Sequence, residues 1–306
     1  NYDICKDIYN KLDYDKYLEL KELKELFDEE KIEDIYGLTP MQEGIYAQYF
    51  QNRETKTYQL QNLNKISKEA DLDILKKSVE LLSLRHRVIR TAFTVLKSTG
   101  AIKQVVLENR KPEFSIIQMD ELFSQNVLDK IIGENLQKPF DLQSDSLFRI
   151  TIIDFIDERF MFVHMHHIVT DGWCLPVLIG DLQKYYEKLL MGIRAEELTD
   201  EINREVLSNT SYAQYVNWIR NQNENEISEY WRSLLTNCSL AHIFGKETKE
   251  VTKNEDMVTF DMPLSHELTL YIEQFASKNK VSYNTVFESA FGIVLQKYSG
   301  SDEVVF

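Results

Sequence analysis

Apolar residues recur along the chain at two spacings, and the changes from one to the other divide it into elements. Leu75, Val79 and Leu82 follow Leu72 at helical spacing and predict a helix that leads to Arg85. Ile102–Leu107 and residues 113–119 read as strands, and another helix is expected from Glu121. Residues 148–155 and 160–166 are apolar runs separated by Ile156-Asp157-Glu158-Arg159, the pattern of a hairpin. From residue 173 to 190 the period becomes helical, and it returns over 211–235 and 266–278. Ser282 is placed to cap a helix running to Tyr298, and residues 302–306 read as a strand.

The 306 residues are 43% hydrophobic and 11% aromatic, enough to bury a substantial core, and would ordinarily form two domains or lobes. A net charge of −15 argues against nucleic acid as a partner. No apolar run approaches the ~18 residues of a membrane span, so no membrane partner is expected. Residues 1–35 hold 12 acidic and 6 basic side chains and read as an acidic linker. Within it Leu20, Leu23, Leu26 and Phe27 recur at helical spacing, which predicts an amphipathic helix docked on the body or on a preceding domain. A solvated charged arm is the alternative. Cys5, Cys174 and Cys238 form no CxxC pair, which fits a reducing cytoplasm.

The densest chemistry lies where a strand gives way to a helix, at His166-His167-Ile168-Val169-Thr170-Asp171-Gly172. An imidazole, with its ordinary pKa near ~6.5, accepts a proton from an attacking amine or hydroxyl close to neutral pH. Successive side chains of an extended backbone point to opposite faces, so one histidine works and the other holds. His167 shares a face with Val163 and Met165, and His166 shares the other with His164 and Phe162. Asp171 is expected as a buried clamp, bonded to an arginine or to backbone N–H groups, and Gly172 as the residue that lets the chain turn. His164, His166, His167 and Asp171 could instead ligate a metal, because an HxH pair on a strand places two imidazoles on one face. His86, His242 and His266 are scattered and supply no second cluster, so no metal is expected. The remaining alternative, a satisfied core histidine, is the reading for His164. No GxSxG, GxGxxG, GxxxxGK or EF-hand loop occurs.

The run HHxxxDG resembles the active-site motif of the condensation domains of nonribosomal peptide synthetases. Ile32-Glu33-Asp34-Ile35-Tyr36-Gly37-Leu38-Thr39-Pro40-Met41-Gln42-Glu43-Gly44 looks like that family's opening motif. Arg85-His86-Arg87-Val88-Ile89-Arg90-Thr91-Ala92-Phe93 is similar to its RHxxLRTxF segment. Ser211-Tyr212-Ala213-Gln214-Tyr215-Val216-Asn217-Trp218 resembles its YxDYxxW segment, with Gln214 in place of Asp, which makes Gln214 a poor candidate for a charged role. The four stretches stand in the family's order. Asp171-Gly172-Trp173-Cys174 looks like condensation domains, whereas epimerization domains usually read DGVSW and heterocyclization domains lack the histidines.

The resemblance implies an α/β (α+β) fold: a chloramphenicol-acetyltransferase-like lobe with a mixed sheet and flanking helices, plus part of a second similar lobe. Residues 1–35 are then a leader, 36–195 the lobe with HHxxxDG, and 196–306 part of the other lobe. A later GxxxSGR-like segment is lacking, so the chain is expected to be a fragment, and the isolated fragment to be weakly active. The implied reaction is acyl transfer that forms an amide bond, with His167 catalytic and His166, Asp171, Gly172, Arg90 and Trp218 supporting the site. Arg90 is the arginine available within this sequence to hold a carboxylate such as Asp171. The domain binds no cofactor of its own, its substrates arriving on the phosphopantetheine of an upstream donor and a downstream acceptor carrier domain, beside an adenylation domain. The opening Thr39-Pro40-Met41-Gln42-Glu43-Gly44 looks closer to domains that take a D-configured donor. Alternatives are a stand-alone coenzyme A-dependent acyltransferase of the same fold and a silent platform that recruits partners.

Overall fold

The structure, a computed structural model, describes residues 11–53, 57–236 and 262–306, with side chains from residue 16 onward. Cys5, Cys238 and His242 lie outside the described residues. Two compact units divide between Gln222 and Asn223.

In the first unit the leader forms helix α1 (Lys11–Leu26) and a 3-10 turn (Asp28–Glu30). Leu23 and Phe27 are buried against Ala92, Leu96, Val105 and Leu107, so the apolar stripe of the leader docks on the body while its charged face stays in water. Strand β1 (Ile32–Tyr36) pairs antiparallel with β4 (Ile102–Leu107), which pairs with β3 (Thr91–Val95), giving a three-stranded sheet. Helix α2 (Pro40–Gln51) follows β1.

A second sheet has the order β2 (Gln59–Ile66), β7 (Arg159–His166), β6 (Phe148–Asp154), β5 (Glu113–Gln118). Its pairings are antiparallel except β5 with β6, so the expected mixed sheet is present. Helices α3 (Leu72–Arg85) and α5 (Cys174–Leu190) cover one face, where Leu75, Val79, Leu82, Leu178 and Leu182 meet Ile150, Ile152, Met161, Val163 and Met165. Helix α4 (Gln125–Leu136) covers the other through Leu128, against Ile153, Phe160 and Phe162. Burial on both faces explains why β6 and β7 read as nearly continuous apolar runs.

The first unit also keeps α6 (Ala195–Ser208) and α7 (Tyr212–Arg220), where a second lobe was expected to begin at residue 196. Leu198 and Ile202 are buried with Leu81 and Tyr185, and Arg220 Nε donates to Leu38 O at 2.7 Å. The second unit consists of α8 (Glu224–Leu235), α9 (His266–Asn279) and α10 (Tyr283–Ser299) among the described residues, with α9 packed on α10. Residues 302–306 form no strand: no neighbour pairs with them among the described residues, and Phe306 packs edge-on against Phe291 at 5.1 Å.

At the hairpin tip Arg159 grips Asp154 through two hydrogen bonds of 2.9 Å, with Lys68 on the same carboxylate. These bonds, Arg159 foremost, hold the Asp154 carboxyl at about 2, below its ordinary 3.8. The stabilisation is complete above pH 3.8 and is lost as the pH falls toward 2, about 2 kcal/mol in all. Unfolding free energies measured across that window should show this loss in the native chain and a flatter limb in Asp154→Asn; parallel limbs would remove Asp154 as its source.

Candidate active site

Strand β7 ends at His166, and the chain turns through Ile168 before α5 starts. Ile168 is buried, so both of its peptide groups need partners inside the protein. Its N–H donates to His166 Nδ1 at 3.2 Å, and its carbonyl accepts from Gln42 Nε2 at 3.0 Å. Gln42 belongs to a capping box: Thr39 Oγ1 accepts from the Gln42 N–H, and Gln42 Oε1 accepts from the Thr39 N–H at 3.0 Å. Gln104 Nε2 donates to Gln42 Oε1 at 3.1 Å and to Gly37 O at 2.7 Å. Gln42 and Gln104 were not singled out from the sequence; the spacing Thr39-Pro40-Met41-Gln42 is the capping signal that marks the first of them.

The two adjacent histidines enter different surroundings. His166 is buried, with the rings of Phe140, Tyr49 and Tyr58 at 5.9, 6.5 and 6.5 Å. Burial, joined by the neighbouring His167 and His164, pushes its pKa down to about 4, so at neutral pH it is an uncharged acceptor for the Ile168 N–H. His164 is likewise buried and lowered to about 4 by desolvation and then by Arg149; its Nε2 meets Gln59 Oε1 at 3.0 Å. His167 is half-buried, and its backbone N–H donates to Tyr58 O at 2.7 Å. Its ring makes no hydrogen bond to another protein group among the described residues, and it lines a cavity of about 540 Å³.

All four motif-bearing segments supply walls of that cavity: Tyr36, Thr39 and Gln42 from the first, Arg85 and His86 from the second, His167 and Asp171 from the third, Tyr212 and Tyr215 from the fourth. Tyr212 packs edge-on against Tyr36 at 6.3 Å, which seats α7 beside the opening segment. Gln214 closes a capping box with Ser211 at the start of α7, a neutral structural task. His86, scattered in sequence from the other histidines, bonds Asp181 Oδ2 through Nε2 at 2.7 Å; burial lowers its pKa, and Asp181 opposes that shift.

Four expected placements are corrected. Arg90 does not reach Asp171: it is buried under the small sheet, donating to Glu33 Oε2 at 2.7 Å, Ser83 O at 2.8 Å and Leu107 O at 2.9 Å. Asp171 is exposed rather than buried. Of the two partners expected for it, backbone N–H groups are the ones found and an arginine is not: its Oδ1 accepts from the Trp173 and Cys174 N–H groups, both at 3.0 Å. The Cys174 thiol and these backbone donors hold its carboxyl below the ordinary range. Gly172 has no left-handed backbone angle, and a Cβ there would meet nothing within 4 Å, so the turn does not demand glycine. Trp218 is 60% exposed, outside the core and the cavity wall, stacked on Tyr215 at 6.1 Å. Among the described residues no three His, Cys, Asp or Glu side chains form a group able to hold a metal.

The Condensation domain family matches residues 32–306. Bacitracin synthase 1 of Bacillus licheniformis is 28% identical over 297 residues, which is 94% of this chain and 5% of that protein. The first condensation domain of the calcium-dependent antibiotic synthetase, solved with a substrate analogue, superposes with a TM-score of 0.68 at 15% identity over 89% of this chain and 63% of its own. The epimerization domain from the third module of tyrocidine synthetase B gives 0.68 at 17% identity, over 89% of this chain and 61% of its own. The likeness to these two structures is one of fold, and it bears out the chloramphenicol-acetyltransferase-like architecture. The chain thus spans a small part of its curated relative and under two thirds of the solved domains.

Replacing the exposed Asp171 by Ala removes two helix-start hydrogen bonds and should lower stability by about 1 kcal/mol. Arg90→Met takes the donor from the buried Ser83 and Leu107 carbonyls and leaves the Glu33 carboxylate to Arg87 alone, and should lower it by about 3 kcal/mol. Urea unfolding of both variants checks this order, and a larger loss at Asp171 would return the clamp to that residue.

Proposed function

The chain belongs to the Condensation domain family, and we propose on that basis that it forms an amide bond between two thioester-bound substrates. The acceptor amine attacks the donor carbonyl, a C–N bond forms, the C–S bond breaks, and the amine proton ends on the departing thiolate. An upstream carrier domain delivers the acyl or peptidyl donor and a downstream carrier the aminoacyl acceptor, each on a phosphopantetheine arm, with an adenylation domain as neighbour. Cysteines without a CxxC pattern support a reducing cytoplasm as the compartment.

The observation that carries this reading is the half-buried His167 ring on the wall of a cavity of about 540 Å³, beside a buried and neutral His166. A thioester is already activated, so holding amine and carbonyl together supplies much of the acceleration. His167 accepts a hydrogen bond from the attacking amine and so meets the positive charge that develops on nitrogen. Asp171 makes no hydrogen bond to the His167 ring among the described residues; its Oδ1 accepts from the N–H groups that open α5, and the carboxylate and the ring interact only through space. His166 and Gln42 hold the corner, and Arg90 supports it from the small sheet.

His167→Ala should lower dipeptidyl product at least a hundredfold in an assay with two loaded carriers, while the melting temperature stays near native. Near-native turnover would overturn the reading, and saturable binding of free coenzyme A without a carrier would favour a stand-alone acyltransferase.

The opening Thr39-Pro40-Met41-Gln42-Glu43-Gly44 supports a donor with a D-configured terminal residue. Thr39 and Met41 line the cavity, so this segment is positioned to meet a substrate. Matched D and L donors on one carrier should give faster product from the D form; preference for L would reverse the assignment.

A further inference from the structure

Tyr58 stands just before β2 with a backbone φ of +70°. Side chains other than glycine rarely occupy that left-handed region, and an aromatic residue there is strained. Two other described non-glycine residues share the region, Lys31 and Lys280, the latter at the end of α9 where such an angle is usual. Tyr58 differs from both in what it touches. Its carbonyl accepts the His167 N–H at 2.7 Å, extending the β2–β7 ladder one step past the Gln59–His166 pair. Its ring stands edge-on to the His167 ring, centroids 6.2 Å apart at 86°, and lies 6.5 Å from the His166 ring at 49°.

We infer that Tyr58 is a positioning residue for the reaction: its carbonyl fixes the His167 backbone and its ring fixes the direction in which the His167 imidazole projects into the cavity. The inference rests on the reading of His167 given above. A strained backbone angle persists where the surroundings over-determine it, and here they do so through one short hydrogen bond and two ring contacts. The edge-on approach is a favoured aromatic geometry and occupies space into which the imidazole would otherwise rotate. The Tyr58 hydroxyl makes no hydrogen bond among the described residues, so the ring and not the phenol performs the task.

The test uses the intact chain with two carrier-bound substrates and four variants: Tyr58→Phe, Tyr58→Ala, Tyr58→Gly and His167→Ala. Tyr58→Phe should keep native turnover. Tyr58→Ala and Tyr58→Gly should both lose about tenfold to a hundredfold in kcat, with KM little changed and a displaced pH–rate profile, because the ring that orients His167 is gone. Tyr58→Gly should melt above Tyr58→Ala, since glycine accepts the left-handed angle and alanine does not. Loss of activity without matching loss of stability separates positioning from a merely structural role. Native kcat and pH profile in Tyr58→Ala would overturn the inference, as would recovery of kcat in Tyr58→Gly in step with its stability. Silent Tyr58 variants beside an inactive His167→Ala would defeat this inference alone, whereas turnover by His167→Ala would defeat both.

Discussion

A turn that carries a strand into a helix leaves peptide groups that neither element can pair, and when the turn is buried they must find side-chain partners. At Ile168 the N–H goes to His166 and the carbonyl to Gln42. That requirement ties the histidine corner to the opening segment 126 residues earlier. Gln42 is itself held by Thr39 and Gln104, and Gln104 by the Gly37 carbonyl. Arg220 then closes over the same segment, donating to Leu38 O, and a Cβ on Gly37 would come within 2.9 Å of its Nε. The first and third motifs are therefore joined by hydrogen bonds, the second is tied to the first by Arg90 and Glu33, and Arg220, two residues past the fourth, bonds the first as well.

The same constraint separates the two histidines chemically. A nitrogen that must accept the Ile168 N–H cannot be protonated, and burial makes that state the stable one by lowering the His166 pKa to about 4. His166 is thus committed to the backbone. His167, one residue on, carries no such task on its ring and faces the cavity. In a chain of net charge −15, the two acidic side chains on the cavity wall among the described residues already accept from backbone donors, Asp171 from the start of α5 and Asp34 from the Ile35 N–H. Among the described residues no carboxylate hydrogen-bonds the imidazole of His167, which leaves its ring nitrogens open to the cavity.

Elements buried on both faces or along one helical stripe were legible in the sequence, among them β4, β6, β7, α3 and α5. Strand β2 was not, because it is the edge of its sheet and reads Gln-Leu-Gln-Asn-Leu-Asn, polar on most positions. Helix α6 was not singled out either, since its two buried residues, Leu198 and Ile202, sit in an otherwise charged run. The histidine corner was legible by composition and by spacing. What hid in the sequence was partnership: Arg90 pairs with Glu33, 57 residues away, because β1 and the turn before β3 meet around β4, a fact of sheet order that no local pattern carries. Asp171 looked like a clamp because an acid beside glycine at a corner has two satisfying environments, buried against an arginine or exposed at a helix start, and local sequence does not distinguish them.

The exposed placement of Asp171 also changes what the motif's second half does. The histidine half is secured by β7 and Gln42 and does not need the acid. The acid instead sets where α5 begins, by accepting the Trp173 and Cys174 N–H groups. That helix brings Cys174 to the cavity wall, and one and a half to two turns later it presents Asp181, which holds His86 on another part of the wall. A shift in the start of α5 would rotate Asp181 relative to His86 while leaving the Ile168 clamp intact. Asp171 therefore bears on the start of α5, whereas His166 bears on the Ile168 peptide, and one seven-residue motif contains two separate sets of hydrogen bonds.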